Sequence, residues 1–205
     1  MNSLIEEIKG FLLVSAEYCF ILENSDEYSK RDFISKIQKI LSLIYLKTSL
    51  ISNFDDIIDD PIEKFVQEAD WEYIRSKIAT KFGVHESFVD IYTPETFNTT
   101  EIDSASLSEC ITDIYQDLKD ISTLVQVANE DSIKAGLSEL KYNFESFWGP
   151  RLIAVLSVLH NLIYGTELEE EDDEEGNFKQ VHENFDDIDT SKWIINQQFN
   201  NRKED

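Results

Sequence analysis

Apolar side chains return every three or four residues along most of this chain, the period of a helix with one buried face. Leu4, Ile5, Ile8, Phe11, Leu12, Ala16, Cys19 and Phe20 predict a first helix over about residues 3–23. After the polar turn Asn24-Ser25-Asp26, Ser29 stands three residues before Asp32, the spacing of an N-terminal cap. From there Phe33, Ile34, Ile37, Ile40, Leu41, Ile44 and Tyr45 predict a second helix to about Asn53. A connection this short predicts an antiparallel hairpin.

Asp60-Pro61-Ile62-Glu63 offers an acidic cap, proline at a first helical position and an acid in the first turn. It predicts a third helix that starts there, runs to about Phe82 and stops at Gly83. Residues 84–104 contain Pro94 and show no clean period, so they predict a long connection held on the bundle by Phe88, Ile91, Tyr92 and Phe97. Ser106 and Glu109 repeat the capping spacing, and Leu107, Cys110, Ile111, Ile114, Leu118, Ile121 and Val125 trace a fourth helix. A fifth helical stretch, from about Asp131 to Tyr164, passes through Leu137, Leu140, Phe144, Phe147 and Trp148, with Gly149-Pro150 to bend or break it midway. Its second half, residues 152–163, is apolar on nearly every side, which predicts a helix surrounded by others and ended by Gly165.

The predicted fold is all-α: an up-and-down bundle of about five helices in residues 1–165, with a long connection after the third, followed by an acidic C-terminal segment, residues 166–205. Within that segment TELEEEDDEE reads as a solvated, mobile linker. Phe178, Phe185, Ile188, Trp193, Ile194, Ile195 and Phe199 then supply enough apolar area to dock on the bundle or on a partner, and Trp193, Ile194 and Phe199 are the candidate partner-binding residues.

Composition narrows the function classes. Six Gly and three Pro in 205 residues are too few for a turn-rich sandwich or barrel, and 41% hydrophobic residues suffice for a core without metal or disulfide. Cys19 and Cys110 sit far apart in apolar helical registers and read as buried free thiols. The first apolar run is short and follows Glu6 and Glu7, the wrong charge for a signal peptide, and no stretch has the length of a membrane span, so a soluble cytoplasmic protein is expected. The net charge of −24 repels phosphate backbones and anionic lipids, which argues against direct nucleic-acid binding and points to a protein partner, a basic one being the natural match.

No Walker, GxGxxG or GxSxG pattern occurs, and His85-Glu86 and His182-Glu183 lack the second histidine of a zincin helix. One place gathers titratable groups: Asp113 and Asp117, a helical turn apart, with His160 in the core half of the fifth stretch. An aspartate orienting a core histidine is the plain expectation there, and metal binding or proton transfer the sharper one. At Trp148-Gly149-Pro150-Arg151 a helix break beside a large aromatic reads as a kink around a core tryptophan, or as a pocket walled by Tyr142, Phe144 and Phe147 in which Arg151 pairs with an acid.

SLSECITDIYQDLKDIS (residues 106–122) followed by LKYNFESFWGPRLIAVLSVLHNLI (residues 140–163) resembles the uncharacterised bacterial family catalogued as domain of unknown function 5063. Its pattern falls on Asp113, Ile114, Tyr115, Asp117, Leu118 and Lys119, then on Phe144, Trp148, Gly149, Leu159 and His160, with Phe147 and Arg151 standing where the family has histidines. The resemblance implies a helical domain and no mechanism. Asp113, Tyr115, Asp117, Trp148, Arg151 and His160 form the candidate site, with no catalytic residue, metal or cofactor assigned. The leading expectation is a non-enzymatic protein-interaction module. The alternatives are a small-molecule or metal-binding bundle built on Asp113, Asp117 and His160 and, third, an acidic mimic of nucleic acid.

Overall fold

The computed structural model describes residues 2–52, 63–89 and 104–165. Helix α1 (Asn2–Glu23) turns through a short 3-10 segment, Ser25–Glu27, into α2 (Lys30–Ser49). The Ser29 hydroxyl caps α2 by accepting the Asp32 N–H at 3.2 Å, as its spacing predicts. The two helices form the predicted hairpin, with Lys47 of α2 against Gly10 of α1.

Helix α3 (Glu68–Phe82) begins later than Pro61. Residues Glu63–Gln67 are not helical, and Asp60-Pro61-Ile62 lies outside the described residues. The cause is tertiary: the buried carboxylate of Asp120 accepts the backbone N–H groups of Phe65 at 2.8 Å and Val66 at 2.9 Å, holding this stretch off the helical path. The helix then starts with a reciprocal box between Gln67 and Asp70 and stops at Gly83, whose φ of 56° is a conformation glycine adopts without strain. The long connection holds a feature that its lack of period concealed. Strand β1 (Ser87–Val89) pairs antiparallel with β2 (Ser104–Ser106), Phe88 opposite Ala105, and Phe88 packs on the core as predicted.

Helix α4 (Leu107–Val127) is capped by the Ser106 hydroxyl on the Glu109 N–H, while Glu86, beside β1, accepts from the hydroxyls of Ser106 and Ser108 and from the Ser108 N–H. A tight turn at Ala128-Asn129 leads into α5 (Glu130–Asn143), which passes into α6 (Gly149–Tyr164) through one π-helical turn, Phe144–Trp148. Pro150 has no N–H to give the Ser146 carbonyl, and the widened turn absorbs that loss. The Gly149 N–H goes to the Phe144 oxygen, and a Cβ on Gly149 would sit 2.2 Å from that oxygen, so the turn requires glycine there. The predicted interruption at Gly149-Pro150 is thus a π turn, and the fifth stretch is two successive helices.

Helices α1, α2, α4 and α6 surround the core, with α3 and α5 packed on α4. Helix α2 meets the junction of α5 and α6 with its C-terminal end: the Tyr45 ring lies 5.2 Å from that of Phe144, and Lys141 Nζ donates to the Ile51 carbonyl. Since α2 also packs along α6, the two run antiparallel and Tyr164 lies toward the N-terminal end of α2. Cys19 and Cys110 are buried thiols, as predicted. Helix α6 departs from the expectation of burial on every side. Leu152, Ala154, Val155, Leu159 and Leu162 face the core, but Arg151, Ile153, Ser157, His160 and Asn161 face solvent, because no further described helix covers them. No helix among the described residues is long and apolar enough to cross a membrane. Ile91, Tyr92, Phe97 and the whole C-terminal segment, Trp193, Ile194 and Phe199 included, lie outside the described residues.

Candidate functional site

Asp113, Asp117 and Asp120 stand at i, i+4 and i+7 on α4 and so share one stripe of the helix. Each carboxylate collects donors from a different part of the fold. Asp113 Oδ1 accepts the Trp71 indole N–H from α3 at 3.1 Å, and its Oδ2 lies 3.5 Å from Arg151 Nη1 of α6. Asp117 Oδ2 accepts from Asn143 Nδ2 of α5 at 2.9 Å and from the Trp148 indole N–H of the π turn at 3.0 Å. Asp120 holds the backbone before α3, and its Oδ2 is buried 3.9 Å from Lys64 Nζ, which also pairs with Glu139 at 2.7 Å. Three carboxylates on one helix therefore tie down α3, α5, α6 and the segment entering α3.

Burial disfavours the ionised form of the two half-buried members. Desolvation raises the Asp113 carboxyl above its ordinary range against the pull of Trp71 and Arg151. Asp117 is raised for the same reason, against Asn143, Lys64 and Trp148. A cavity of about 20 Å³, room for one water molecule, opens between Lys64, Asp117, Asp120, Gly136, Glu139 and Asn143. Among the described residues no group of three or more His, Cys, Asp or Glu is placed to hold a metal ion.

The structure therefore brings together four of the six predicted site residues, Asp113, Asp117, Trp148 and Arg151, and separates the other two. His160 is exposed on α6 with its ring 4.7 Å from that of Tyr164, far from the pairing with Asp113 or Asp117 that its apolar neighbours suggested. Leu159 takes the core position, and the next residue points about 100° away round the helix. Tyr115 lies on another face of α4, where its hydroxyl donates to Glu23 Oε1 at 3.0 Å and Lys119 Nζ meets the same oxygen at 2.6 Å. Burial pushes the Tyr115 hydroxyl pKa well up, and Glu23 adds to it. These residues line a cleft of about 360 Å³ with Val66, Tyr73 and Ile74. Asp120, Asn143 and Trp71 escaped the sequence reading. Only Asp120 carried a signal, three residues beyond Asp117 on the same stripe.

A second surface is built on α2. Its inward residues, Phe33, Ile34, Ile37, Ile40, Leu41 and Ile44, are buried. On the outward side Lys36, Lys39, Leu43, Leu46 and Leu50 follow the alternating three–four spacing of a helix-packing seam, with Lys47 beside them. Leu43, Leu46 and Leu50 remain 37%, 52% and 68% exposed. Helix α2 carries five basic residues and one acidic one in a chain of net charge −24.

Fold and site together define a helical bundle knit by carboxylates on its fourth helix. The chain belongs to the family described as "Domain of unknown function (DUF5063)", which matches residues 2–165, so the resemblance carried by the two motifs is that of its own family. The crystal structure of protein BF1032 from Bacteroides fragilis is similar, with 27% sequence identity and a TM-score of 0.69 over 79% of this chain and 96% of that one. Nothing among the curated proteins matches.

Proposed function

We propose that this protein is a cytoplasmic, non-enzymatic protein-interaction module whose docking face is the outward side of α2. The observation that carries the reading is the exposed Leu43, Leu46 and Leu50 stripe flanked by Lys36, Lys39 and Lys47. A three–four seam of leucines takes a second helix along it, and the lysines select one with acidic flanks. The partner class is an acidic amphipathic helical segment, whereas a basic partner would have to meet the acidic surface elsewhere. The α4 carboxylates favour an architectural role, since they accept indole, amide, guanidinium and backbone donors from the elements they join. The test is a photo-crosslinking residue placed at Leu46, and in a control at Val127, in the native host. The reading expects crosslinks to an acidic amphipathic segment from position 46 alone. Equal products from both positions, or none from 46, would remove it.

The cleft at Tyr115 and Lys119 favours a second reading, small-molecule binding, because its volume falls within the range of ligand pockets and it joins an apolar wall to a charged corner. A compound that raises the melting temperature of the protein but not of its Lys119→Ala variant would support it. A panel of metabolites with no such compound would count against it.

A further inference from the structure

We infer that the cleft between the end of α1, the start of α3 and the middle of α4 binds a small organic cation, an ammonium head group on an apolar body, with Glu23 and Asp70 meeting the ammonium and Tyr73 flanking it. The inference rests on the small-molecule reading of that cleft and deepens it by naming the ligand's chemistry.

The charge of the lining selects the sign. Two carboxylates, Glu23 and Asp70, and one ammonium, Lys119, line the cleft. Lys119 Nζ is committed to Glu23 Oε1 at 2.6 Å, so an anionic ligand would meet two carboxylates and a cation already paired. A cationic ligand meets the reverse. The Tyr115 hydroxyl and Lys119 both use Glu23 Oε1, and the Gln67 N–H uses Asp70 Oδ2. Glu23 Oε2 and Asp70 Oδ1 therefore keep their capacity to accept, with no hydrogen-bond donor on them among the described residues. Glu23 is also the last residue of α1, where the helix dipole favours positive charge. The two carboxylates act on one point: burial raises the Tyr115 hydroxyl most, and the charges of Glu23 and Asp70 raise it further.

The protein's own lysine shows how this corner holds an ammonium group. Lys77 Nζ donates to the Glu23 carbonyl at 2.8 Å and stands 5.4 Å from the centre of the Tyr73 ring. That ring is 61% exposed, which leaves aromatic surface at the cleft for a ligand. Phe65, Val66 and Ile74 supply the apolar wall for the ligand's body. A volume of about 360 Å³ lies at the small end of ligand pockets and suits a single ring or a short chain. Lys119 acts through Glu23: it holds that carboxylate at the cleft without touching the ligand, so its loss should also weaken binding.

An amide chemical-shift titration of the full chain at low ionic strength tests the assignment. The probes are hexylamine and phenethylamine as cations, phenethyl alcohol as the uncharged match and hydrocinnamate as the anion. At least one amine should bind saturably, shift the amides around Glu23, Asp70, Tyr73 and Lys119, and bind on the order of tenfold or more tightly than the alcohol or the carboxylate. Glu23→Gln and Asp70→Asn should each weaken the amine by a similar factor, and Asp70→Asn keeps an acceptor for the Gln67 N–H, so the start of α3 survives it. Tyr73→Leu should weaken it without removing a charge. Glu145→Gln, which removes the same charge from the π turn between α5 and α6, should leave it unchanged. Amine binding that is indifferent to Glu23→Gln and Asp70→Asn, or that falls equally in Glu145→Gln, would overturn the site. Absence of saturable binding by both amines would overturn the inference and leave the small-molecule reading to its own metabolite panel. Saturable binding of hydrocinnamate that is lost in Lys119→Ala would overturn the cation and leave that reading standing.

Discussion

The indole N–H of Trp148 donates to Asp117 Oδ2 at 3.0 Å, tying the π turn to the centre of α4. The contact joins the two motifs that carry the family resemblance: one supplies the acceptor and the other the π turn that presents the donor. Removing the acceptor strands buried donors, which cost about 1–3 kcal/mol each when left unpaired. Asp120→Ala strands the N–H groups of Phe65 and Val66, so it should cost about 2–4 kcal/mol and lower the melting temperature by roughly 5–15 °C. A thermal melt checks it, and a shift of under about 2 °C would show that the clamp before α3 contributes little.

The π turn makes its own prediction. Gly149→Ala puts a methyl group 2.2 Å from the Phe144 oxygen, a clash with backbone that no side-chain rotation relieves. A loss of about 2–3 kcal/mol in urea unfolding is expected, with the helical circular dichroism retained. An unchanged midpoint would mean that the turn relaxes to ordinary helix at no cost.

Acidity should act on Asp113 and Asp117 in the unusual direction. Both carboxyls are raised in the folded state, so between the ordinary value of 3.8 and their folded values the native protein binds more protons than the unfolded chain. Their contribution to stability is therefore fully present below pH 3.8 and declines as pH rises through the folded values. Measured as the melting temperature of the unsubstituted protein minus that of Asp113→Asn/Asp117→Asn, the difference should be greatest in acid and fall toward neutral pH. A difference that grows with pH would show that the donors outweigh burial.

The two thiols are buried, and burial holds the Cys19 pKa well above the usual cysteine range. A thiol-reactive disulfide reagent at neutral pH should leave both unmodified in the folded protein and react with both in denaturant. Rapid labelling under native conditions would reveal an opening of the α1–α4 interface that the static packing does not show.

Where helices lie was legible because each apolar stripe is a local property. Ser29 and Ser106 cap the helices that their spacing announced, and the fifth stretch is divided into two helices at the Gly149-Pro150 position. What failed depended on residues far apart in the chain. Pro61 is a sound helix start by itself, but Asp120, more than fifty residues away, claims the backbone just beyond it. His160 lies in an apolar run, and only the absence of a covering helix among the described residues puts it in solvent. Asp113 and Asp117 were found as a pair, yet their partners Trp71 and Asn143 come from other helices and carry no periodic mark of their own. The basic outward face of α2 passed unnoticed because the overall charge of −24 hides a local reversal of sign.

On the proposed reading the α4 carboxylates serve the fold and the outward face of α2 serves docking, and one paired comparison separates the two. Leu46→Asp and Asp117→Asn are expressed in the native host, and each is measured for melting temperature and for capture of the partner crosslinked at position 46. The account predicts that Leu46→Asp melts like the unsubstituted protein and loses the partner, while Asp117→Asn changes the melting temperature and keeps the partner. Partner capture that survives Leu46→Asp but fails in a folded Asp117→Asn would contradict it and move the function to the carboxylates of α4.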